Sequence, residues 1–569
     1  GLYSMPAGEW KGNEIGGLSE WIMRQAKIPL AEYAKLAETF NPVDFDADFI
    51  AKLAKDAGMK YLVITAKHHD GFAMYHSKVD KYNIVDATPF KRDPVAELAK
   101  ACEKHGVVFC VYYSQDLDWA HPDGGGNDWD FEPAKKKFER YFEEKCIPQL
   151  RELLTNYGRV GLIWFDMATN ITTEQSRRIR EFVHELQPDC LVSGRVGHGM
   201  GDYGSLGDNQ MPLGTPLGDW ETPGTLNSSW GFKASDHNWR KPEEIIGAIA
   251  DLANKGVNYL LNIGPDARGR VPEPSVNTLQ SVGKWMSVNG EAIYGTSPNP
   301  FNCEFDWGRV TVKGENIYLL FSGKTGKDFT LVGLENQVVS VTQFGRSQKQ
   351  LKFSKSTENG TPVINIPLEG SSSSSSVKVV RITCIGKPNV LQEPCQQEDG
   401  ALSLPAHKGM VHRHSNPAVL RKKVAFGGAL MAAMAAETNN EVSNGAAMGV
   451  GPSGVTENWY SSEDYMSWNC RVIQPGEYEV QIRTMAKKYE SWKGGHDVEV
   501  RVGDQILSGT VKDDGRMNSL RNYHFEEAFT KLGKIRIERP GTFEVVLKAR
   551  NIKEDVEHGL CMSTVRLSP

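Results

Sequence analysis

A regular alternation of short apolar runs with longer helical patterns over residues 44–287 is the feature that most constrains the fold of this chain. The apolar runs are residues 61–65, 107–113, 161–165, 191–193 and 258–263. The helical patterns are residues 46–57, 94–105, 133–154, 173–186, 242–254 and 274–288, several of which open on a proline. Strands that are apolar throughout must be covered on both faces, so the alternation predicts an α/β fold, a parallel (β/α)8-like barrel over residues 1–298.

After the predicted barrel the pattern changes to β-branched residues that alternate with polar ones between turn signals, as at residues 309–312. That pattern is typical of a β-sandwich, which we predict over residues 299–386. A connection rich in Pro, Gln and His follows, and we predict a linker over residues 387–424. Residues 498–502 alternate again, so residues 425–569 should form a second β-sandwich.

Composition excludes two classes of partner. The 569 residues carry a formal net charge of −6, whereas a nucleic-acid or anionic-membrane partner needs a concentrated basic face. No apolar run approaches the ~18 residues needed to cross a bilayer, so we predict no membrane span. The nine cysteines lie far apart, without Cys-x-x-Cys pairs or Cys/His ligand spacing. We therefore predict no metal site, and the sequence does not decide whether any disulfides form.

Polar and aromatic residues collect where the predicted strands end. The carboxyl ends of parallel barrel strands form the active face, so these residues are the candidates for a site. They are His68 and His69, Tyr113, Trp164 and Asp166, Arg195, and then Glu221 and Trp230 in a long Gly/Pro-rich segment. Each has an ordinary alternative, such as helix capping for Asp166 or a surface ion pair for Arg195. Their coincidence on one face favours a functional site.

The residue types at this face indicate a neutral sugar as ligand. Aromatic rings pack on C–H surfaces, while fork-shaped polar side chains bind individual hydroxyl groups. Two carboxylates, Asp166 at a strand end and Glu221 in a loop, can then act as nucleophile and general acid/base. The adjacent histidines could also bind a metal, but no third ligand stands at a convincing spacing.

These motifs, in this order, resemble those of glycoside hydrolase family 29, the α-L-fucosidases. The resemblance rests on residues 67–72, 112–114, 164–166, 194–195, 220–222, 229–231 and 258–265, and it extends from Gly1 to about residue 300. It implies that Asp166 is the nucleophile that forms a covalent fucosyl-enzyme and that Glu221 is the acid/base. The loop that carries the acid/base varies across the family, so this assignment is the least transferable.

The resemblance also implies which residues bind fucose. They are His68, His69, Tyr113, Trp164, Arg195 and Trp230, together with Glu20 and Trp21, for which Glu9 and Trp10 are rivals. It further implies fucosylated oligosaccharides or glycoconjugates as substrates, no metal or organic cofactor, and a periplasmic or secreted location. The sequence leaves the oligomeric state open, a homo-oligomer included.

Departures from the family pattern leave alternatives open. The family usually has His-Trp-Gly at the end of its first strand, and this chain opens at that glycine, so we expect the first strand to be absent and the barrel to be weakened. Met167 stands where the family often has a small residue. A different exo-glycosidase on the same barrel and a weak or inactive fucose-binding homologue are the alternatives.

The last predicted domain resembles the sandwich modules appended to many carbohydrate-active enzymes. Trp459, Tyr465, Trp468 and the loop at residues 492–495 would give such a module an aromatic sugar platform. The competing interpretation is that Trp468, like Tyr478, belongs to the sandwich core.

Overall fold

The computed structural model describes residues 1–322, 328–368, 377–415, 447–487, 494–517, 525–553 and 559–569. Trp492 and Lys493 of the predicted sugar platform lie outside these ranges. So do residues 416–446, which hold the end of the predicted linker and the start of the predicted second sandwich.

Helices and parallel strands alternate in the N-terminal region, as the sequence predicts. The helices are α1 (Ile22–Gln25), α2 (Leu30–Tyr33), α3 (Ala47–Asp56), α4 (Pro94–His105), α5 (Phe138–Tyr141), α6 (Ile147–Asn156), α7 (Thr173–Leu186), α8 (Pro242–Asn254) and α9 (Glu273–Asn289). The strands are β1 (Glu9–Trp10), β2 (Asn13–Glu14), β3 (Tyr61–Lys67), β4 (Val108–Tyr113), β5 (Leu162–Phe165), β6 (Leu191–Val192), β7 (Gly204–Ser205), β8 (Trp220–Thr225) and β9 (Val257–Asn262).

The larger strands of this region form two parallel sheets. The first has the order β3-β4-β5-β6 and the second the order β7-β8-β9. A parallel bridge between Ser193 and Tyr203 links β6 to β7. Among the described residues β3 does not pair with β9, so both remain edge strands. One face of the first sheet packs on the helices, and its opposite face bears the smaller cluster around Leu162 and Trp164.

Local sequence signals fix several helix ends. The Asp93 carboxylate accepts the Ala96 amide hydrogen at 3.0 Å, and Gly106 ends α4 in the left-handed conformation at φ +67°. Thr172 and Gln175 cap α7 reciprocally. Removal of the Asp93 carboxylate would leave first-turn amides unpaired at a cost of ~1 kcal/mol.

Antiparallel sheets follow the N-terminal region. The strands are β10 (Gly308–Lys313), β11 (Asn316–Phe321), β12 (Asp328–Val332), β13 (Val338–Gln343), β14 (Lys349–Leu351), β15 (Ser354–Glu358), β16 (Thr361–Pro367) and β17 (Lys378–Cys384). They form a five-stranded sheet, β10-β11-β17-β13-β14, and a three-stranded sheet, β12-β16-β15. Leu319 and Ile364 belong to one buried cluster shared by the two sheets, which is the layering of a sandwich. Trp285 of α9 donates its indole hydrogen to the Val377 carbonyl at 2.8 Å and joins this unit to the helices.

Two larger sheets make up the C-terminal region. The strands are β18 (Leu402–Pro405), β19 (Met410–His412), β20 (Gly449–Val450), β21 (Thr456–Glu457), β22 (Tyr465–Val472), β23 (Gly476–Lys487), β24 (Asp497–Val502), β25 (Gln505–Thr510), β26 (Gly515–Met517), β27 (Phe525–Ile537), β28 (Gly541–Asn551) and β29 (Met562–Ser568). The sheet orders are β18-β29-β23-β27-β26 and β19-β22-β28-β24-β25, and β20 pairs with β21 as a hairpin. Strands β18 and β19 lie inside the predicted linker, so residues 402–412 belong to these sheets and do not form a free connection.

Two candidate platform residues of the C-terminal region are buried in its core. Trp459 is 0% exposed and Trp468 is 3% exposed, and both belong to the cluster between the sheets. Trp468 also donates its indole hydrogen to the Pro405 carbonyl at 2.9 Å. Tyr465 is half-buried and stacks on His412. Packing therefore accounts for both tryptophans, and neither ring presents a face to a sugar.

All nine cysteines are free and buried. No helix among the described residues is long and apolar enough to cross a membrane.

Candidate active site

The carboxyl ends of the N-terminal strands open into a cavity of about 1260 Å³. Its polar lining includes Glu20, Trp21, His68, Tyr112, Trp164, Asp166, Arg195, Asp208 and Trp230. The cavity continues between the edge strands β3 and β9, where its walls are apolar and include Leu53 and Leu279. The polar end is the candidate site.

Asp166 follows β5 directly and has three side-chain partners at the site. Tyr112 donates its hydroxyl hydrogen to Asp166 Oδ2 at 2.9 Å, and Arg195 Nη1 lies 3.1 Å from Oδ1. His69 Nε2 lies 3.5 Å from Oδ2. Burial alone would raise the pKa of Asp166, but His69 and Arg195 outweigh burial and hold the pKa well below its ordinary value. The carboxylate is therefore ionised at neutral pH.

The two adjacent histidines differ in their partners. His69 Nδ1 lies 2.7 Å from Ser114 Oγ, and the Ser114 hydroxyl donates its hydrogen to the Leu117 carbonyl at 2.7 Å. The serine proton is committed to Leu117, so His69 Nδ1 must carry the hydrogen of its own bond. His68 stacks on Tyr112 with ring centroids 5.3 Å apart, and burial lowers the pKa of His68 well below its ordinary value. His68 is therefore a neutral imidazole.

An aromatic stack forms one wall of the site. Tyr112 stacks on Trp164 at 5.4 Å between centroids, and the Arg195 guanidinium lies 4.9 Å from the Trp164 ring centroid. Tyr113, the residue predicted from the sequence, points to the opposite face of β4, where its hydroxyl donates to Gln149 Oε1 at 2.9 Å. Successive residues of a strand face opposite sides, so Tyr112 occupies the place predicted for Tyr113.

Glu221, the predicted acid/base, lies in β8 below the cavity and is 2% exposed. Tyr61 donates to its Oε2 at 2.6 Å, and Trp164 Nε1 donates to its Oε1 at 2.7 Å. Burial raises the pKa of Glu221, against the opposing hydrogen bonds from Tyr61 and Trp164. Glu221 is not among the residues that line the cavity, and its hydrogen bond with Trp164 Nε1 orients the Trp164 ring.

Asp208 is a second cavity-lining carboxylate close to Asp166, and it follows none of the predicted strands. It forms an ion pair with Arg195 Nη2, and its side chain is 38% exposed. Arg195 therefore holds Asp166 and Asp208 on the two arms of one guanidinium. Asp208 precedes Asn209 in a Gly/Pro-rich segment without apolar periodicity. Its acidic side chain is the sequence feature that could have marked it as a candidate site residue.

Glu20 and Trp21 line the cavity on the N-terminal side of the site. Glu20 Oε2 accepts hydrogen bonds from the Gly231 amide at 2.9 Å and from Ser229 Oγ at 3.3 Å. Burial raises the pKa of Glu20 to about 7. Trp21 meets the His69 ring edge-on, with centroids 5.1 Å apart.

Trp230 also lines the cavity, and its carbonyl accepts a hydrogen bond from Asn262 Nδ2 at 2.8 Å. The rival pair, Glu9 and Trp10, lies in the short hairpin β1–β2, where Glu9 is exposed.

Three polar atoms around the cavity are buried without a hydrogen-bond partner among the described residues. They are Glu20 Oε1, His68 Nδ1 and His69 Nε2, of which the last has the ion-pair contact with Asp166 Oδ2 at 3.5 Å. Buried polar atoms in native proteins are almost always paired, so a cluster of unpaired ones beside a cavity indicates that a polar ligand or ordered water binds there. Within the described ranges, no group of three His, Cys, Asp or Glu side chains could hold a metal ion.

The segment after Asp166 is fixed by a buried carboxylate. Asp116 Oδ2 accepts the amide hydrogens of Thr169 at 2.9 Å, Asn170 at 2.6 Å and Ile171 at 2.8 Å. Met167 takes the left-handed conformation at φ 55°, which a residue with a Cβ adopts at a cost. This conformation explains why a small residue suits the position and why a methionine there needs support from its neighbours.

Comparison with known proteins agrees with the geometry. The family model described as Alpha-L-fucosidase matches residues 1–291. Tissue alpha-L-fucosidase of Homo sapiens is 31% identical over 346 residues, which cover 56% of this chain and 72% of that protein.

Two solved structures extend the comparison beyond sequence. The alpha-L-fucosidase of Vibrio sp. strain EJY3 superposes with a TM-score of 0.84 at 27% identity and covers 100% of this chain and 95% of its own. Isoenzyme 1 of Paenibacillus thiaminolyticus gives a TM-score of 0.61 at 29% identity, over 68% of this chain and 95% of its own. Since the family match extends from residue 1 to residue 291 of 569, the chain belongs to the α-L-fucosidase family of glycoside hydrolases.

Proposed function

We propose that the protein is an exo-acting, retaining α-L-fucosidase that releases terminal L-fucose from fucosylated oligosaccharides or glycoconjugates. The environment of Asp166 carries the proposal. An ionised carboxylate between Tyr112, His69 and Arg195, at the wall of a cavity, has the charge and the position that a glycosidase nucleophile needs.

The reaction proceeds in two displacements. Asp166 attacks the anomeric carbon of fucose, the bond to the leaving oxygen breaks, and a protonated carboxyl group donates its proton to that oxygen. Water then attacks the anomeric carbon of the fucosyl ester. The second carboxylate takes the proton from water, and Asp166 is released as a carboxylate.

We assign the acid/base role to Asp208 in place of Glu221. An acid/base must lie within hydrogen-bond reach of the leaving oxygen, and Asp208 lines the cavity on the same guanidinium as Asp166. Glu221 has both oxygens engaged by Tyr61 and Trp164 and is closed off from the cavity. Its role in the proposal is to fix the Trp164 ring.

Recognition of the sugar follows from the unpaired atoms. Glu20 Oε1 and the two imidazoles can each form a hydrogen bond with a fucose hydroxyl, while Trp164 and Trp21 provide apolar faces for the ring and its methyl group. Tyr113 takes no part, because its hydroxyl is bound to Gln149 on the other side of the strand.

We further propose that the two parallel sheets belong to one (β/α) barrel, which the bridge between Ser193 and Tyr203 supports. A periplasmic or secreted location fits an enzyme of fucosylated glycans. Fractionation of the source cells with a fucosidase assay tests the location.

The first experiment tests the nucleophile. We expect Asp166→Ala to abolish hydrolysis of 4-nitrophenyl α-L-fucoside and azide to restore turnover with an inverted β-fucosyl azide product. Asp189→Ala is the control, because Asp189 is a surface carboxylate with 86% of its side chain exposed. Near-normal turnover by Asp166→Ala would refute the nucleophile, and wild-type preference for a galactoside or xyloside analogue would favour a different exo-glycosidase.

A second experiment separates the two acid/base candidates. Protonation matters most for a poor leaving group, so loss of the acid should slow a fucosyl-N-acetylglucosamine substrate by roughly 10²–10⁴-fold and the nitrophenyl substrate far less. We expect this difference for Asp208→Ala and a similar loss on both substrates for Glu221→Gln. The reverse pattern would return the role to Glu221.

A further inference from the structure

The segment between β7 and β8, residues 206–219, connects the candidate site to the C-terminal region. Two of its carboxylates, Asp208 and Asp219, line the cavity. Its first residues are held by the neighbouring strand β8, since the Leu206 amide donates to the Glu221 carbonyl at 2.9 Å and the Asn209 amide to the Pro223 carbonyl at 2.8 Å. The middle of the segment, around Leu213 and Gly214, contacts the C-terminal sheets instead.

The contact is made by the turn of hairpin β20–β21. The Leu213 amide donates to the Ser453 carbonyl at 2.6 Å, and the turn closes with a hydrogen bond from the Gly454 amide to the Gly451 carbonyl at 2.9 Å. Gly454 has φ +84°, and a Cβ at this position would lie 2.7 Å from Gly214 Cα and 2.9 Å from the Leu213 carbonyl carbon. The two backbones therefore touch at a place where only glycine fits.

An apolar cluster surrounds this backbone contact. Leu213 packs with Val455 and Cys561, and these three side chains are 6%, 2% and 7% exposed. Gly214 lies against the His407 ring, so that a Cβ at residue 214 would lie 2.9 Å from His407 Cβ. The segment is thus buried by side chains from separate parts of the C-terminal region.

The hairpin is itself tied to the C-terminal core. Thr456 Oγ1 donates to the Leu560 carbonyl at 2.7 Å and accepts the Met562 amide hydrogen at 2.8 Å. On the opposite side, Lys255 at the end of α8 donates to the Pro212 carbonyl. Residues 212–214 are therefore held between the N-terminal helices and the C-terminal sheets.

We propose that the C-terminal sheets are a positioning element of the active site, which holds the Asp208 segment in place through hairpin β20–β21. This inference rests on the proposed function, because it takes Asp208 as the acid/base. It assigns the C-terminal region a role in the reaction itself, in place of a separate sugar-binding role. Gly454, Leu213 and Val455 act through Asp208 and do not touch the substrate.

The test compares two glycine substitutions in the full-length protein. Gly454→Ala places a Cβ against the Leu213–Gly214 backbone, whereas Gly503→Ala introduces the same change at another left-handed glycine, φ +56°, with nothing within 4 Å of its Cβ. Both substitutions place a Cβ on a residue with positive φ, and only the first puts that Cβ against the segment. Leu213→Ala is a second variant that weakens the contact without a clash.

The expected result is a loss that depends on the leaving group. Since misplacement of a catalytic group by about 1 Å can cost ~10²-fold, we expect kcat/KM on the fucosyl-N-acetylglucosamine substrate to fall by roughly tenfold to a hundredfold in Gly454→Ala. On 4-nitrophenyl α-L-fucoside the loss should stay within about threefold, because this leaving group needs little protonation. A merely destabilised protein would lose both activities in proportion to the folded fraction.

Hydrogen exchange separates failure of this inference from failure of the proposed function. We expect faster amide exchange in residues 208–219 of Gly454→Ala and Leu213→Ala, and unchanged exchange there in Gly503→Ala. If the wild type has no fucosidase activity but exchange follows this pattern, the proposed function fails and the positioning contact stands. Equal behaviour of the two glycine variants in both assays overturns the inference.

Discussion

The buried carboxyl group of Glu20 makes stability depend on pH in an unusual direction. Its pKa is raised from 4.5 to about 7 by burial, so the folded state binds its proton more tightly than the unfolded chain does. Between pH 4.5 and about pH 7 the folded protein binds more protons than the unfolded chain does. The free energy of unfolding therefore falls as pH rises through this range. The contribution is fully present below about pH 4.5 and is lost as pH passes through 7.

The size of the effect follows from the shift. The difference between 4.5 and about 7 corresponds to about 3 kcal/mol. Glu20→Gln keeps an acceptor for the Gly231 amide hydrogen but cannot ionise. We therefore expect the variant to match the wild type near pH 5 and to exceed it by about 3 kcal/mol near pH 8.

Thermal unfolding at a series of pH values measures this difference. For a cooperative unit of about 290 residues, 3 kcal/mol corresponds to a change in Tm of about 5 °C. Subtracting the wild-type curve of Tm against pH from the Glu20→Gln curve cancels the contributions of all other titrating groups. Glu9→Gln is the matched control because Glu9 is exposed. A difference in Tm that stays constant from pH 5 to pH 8 would refute the reasoning.

Three further predictions concern neighbouring features. Tyr112→Phe should lower kcat/KM by roughly tenfold, because it removes a hydrogen bond to the Asp166 carboxylate. Tyr113→Phe should leave steady-state kinetics unchanged and lower the free energy of unfolding by ~1 kcal/mol. Equal kinetic losses in the two variants would contradict the assignment of Tyr112 to the site. Met167→Gly should leave the free energy of unfolding within ~1 kcal/mol of wild type, while Met167→Val should cost ~2 kcal/mol in denaturant titrations, because only the second adds strain at φ 55°. Trp468→Ala should destabilise the C-terminal sheets by ~3–5 kcal/mol, and a soluble, equally stable variant would argue against its place in the core.

Much of the N-terminal architecture could be predicted because its strands are apolar throughout. The predicted runs at residues 61–65, 107–113, 161–165, 191–193 and 258–263 correspond to β3, β4, β5, β6 and β9. Strands β7 and β8 were missed, since β7 has two residues and β8 reads Trp-Glu-Thr-Pro-Gly-Thr. Strand β7 pairs with β8 and β8 pairs with β9, so neighbouring strands stabilise these sequences, which lack the apolar pattern of the other strands.

The candidate site was predictable where a side chain follows an apolar strand directly. Asp166 and Arg195 meet in the structure as their strand-end positions suggest. The sequence predicts Tyr113 at the site, whereas the structure places Tyr112 there. Nothing in a pair of adjacent tyrosines indicates which of the two faces the cavity. Asp208 was missed because it lies in a segment without periodicity, and Glu221 was preferred although its strand β8 has no apolar pattern. Nothing in such a sequence distinguishes an acidic residue at a cavity from one enclosed below it.

Because every cysteine is buried, the reactivity of each thiol can report local opening of the structure around it. Burial raises the pKa of the Cys102 and Cys384 thiols to about 11, so neither presents a reactive thiolate in the folded state. Alkylation under native conditions therefore requires local opening, and each labelled position identifies the region that opened. Cys561 packs directly on Leu213, so its rate of labelling follows the separation of the C-terminal sheets from the segment they support.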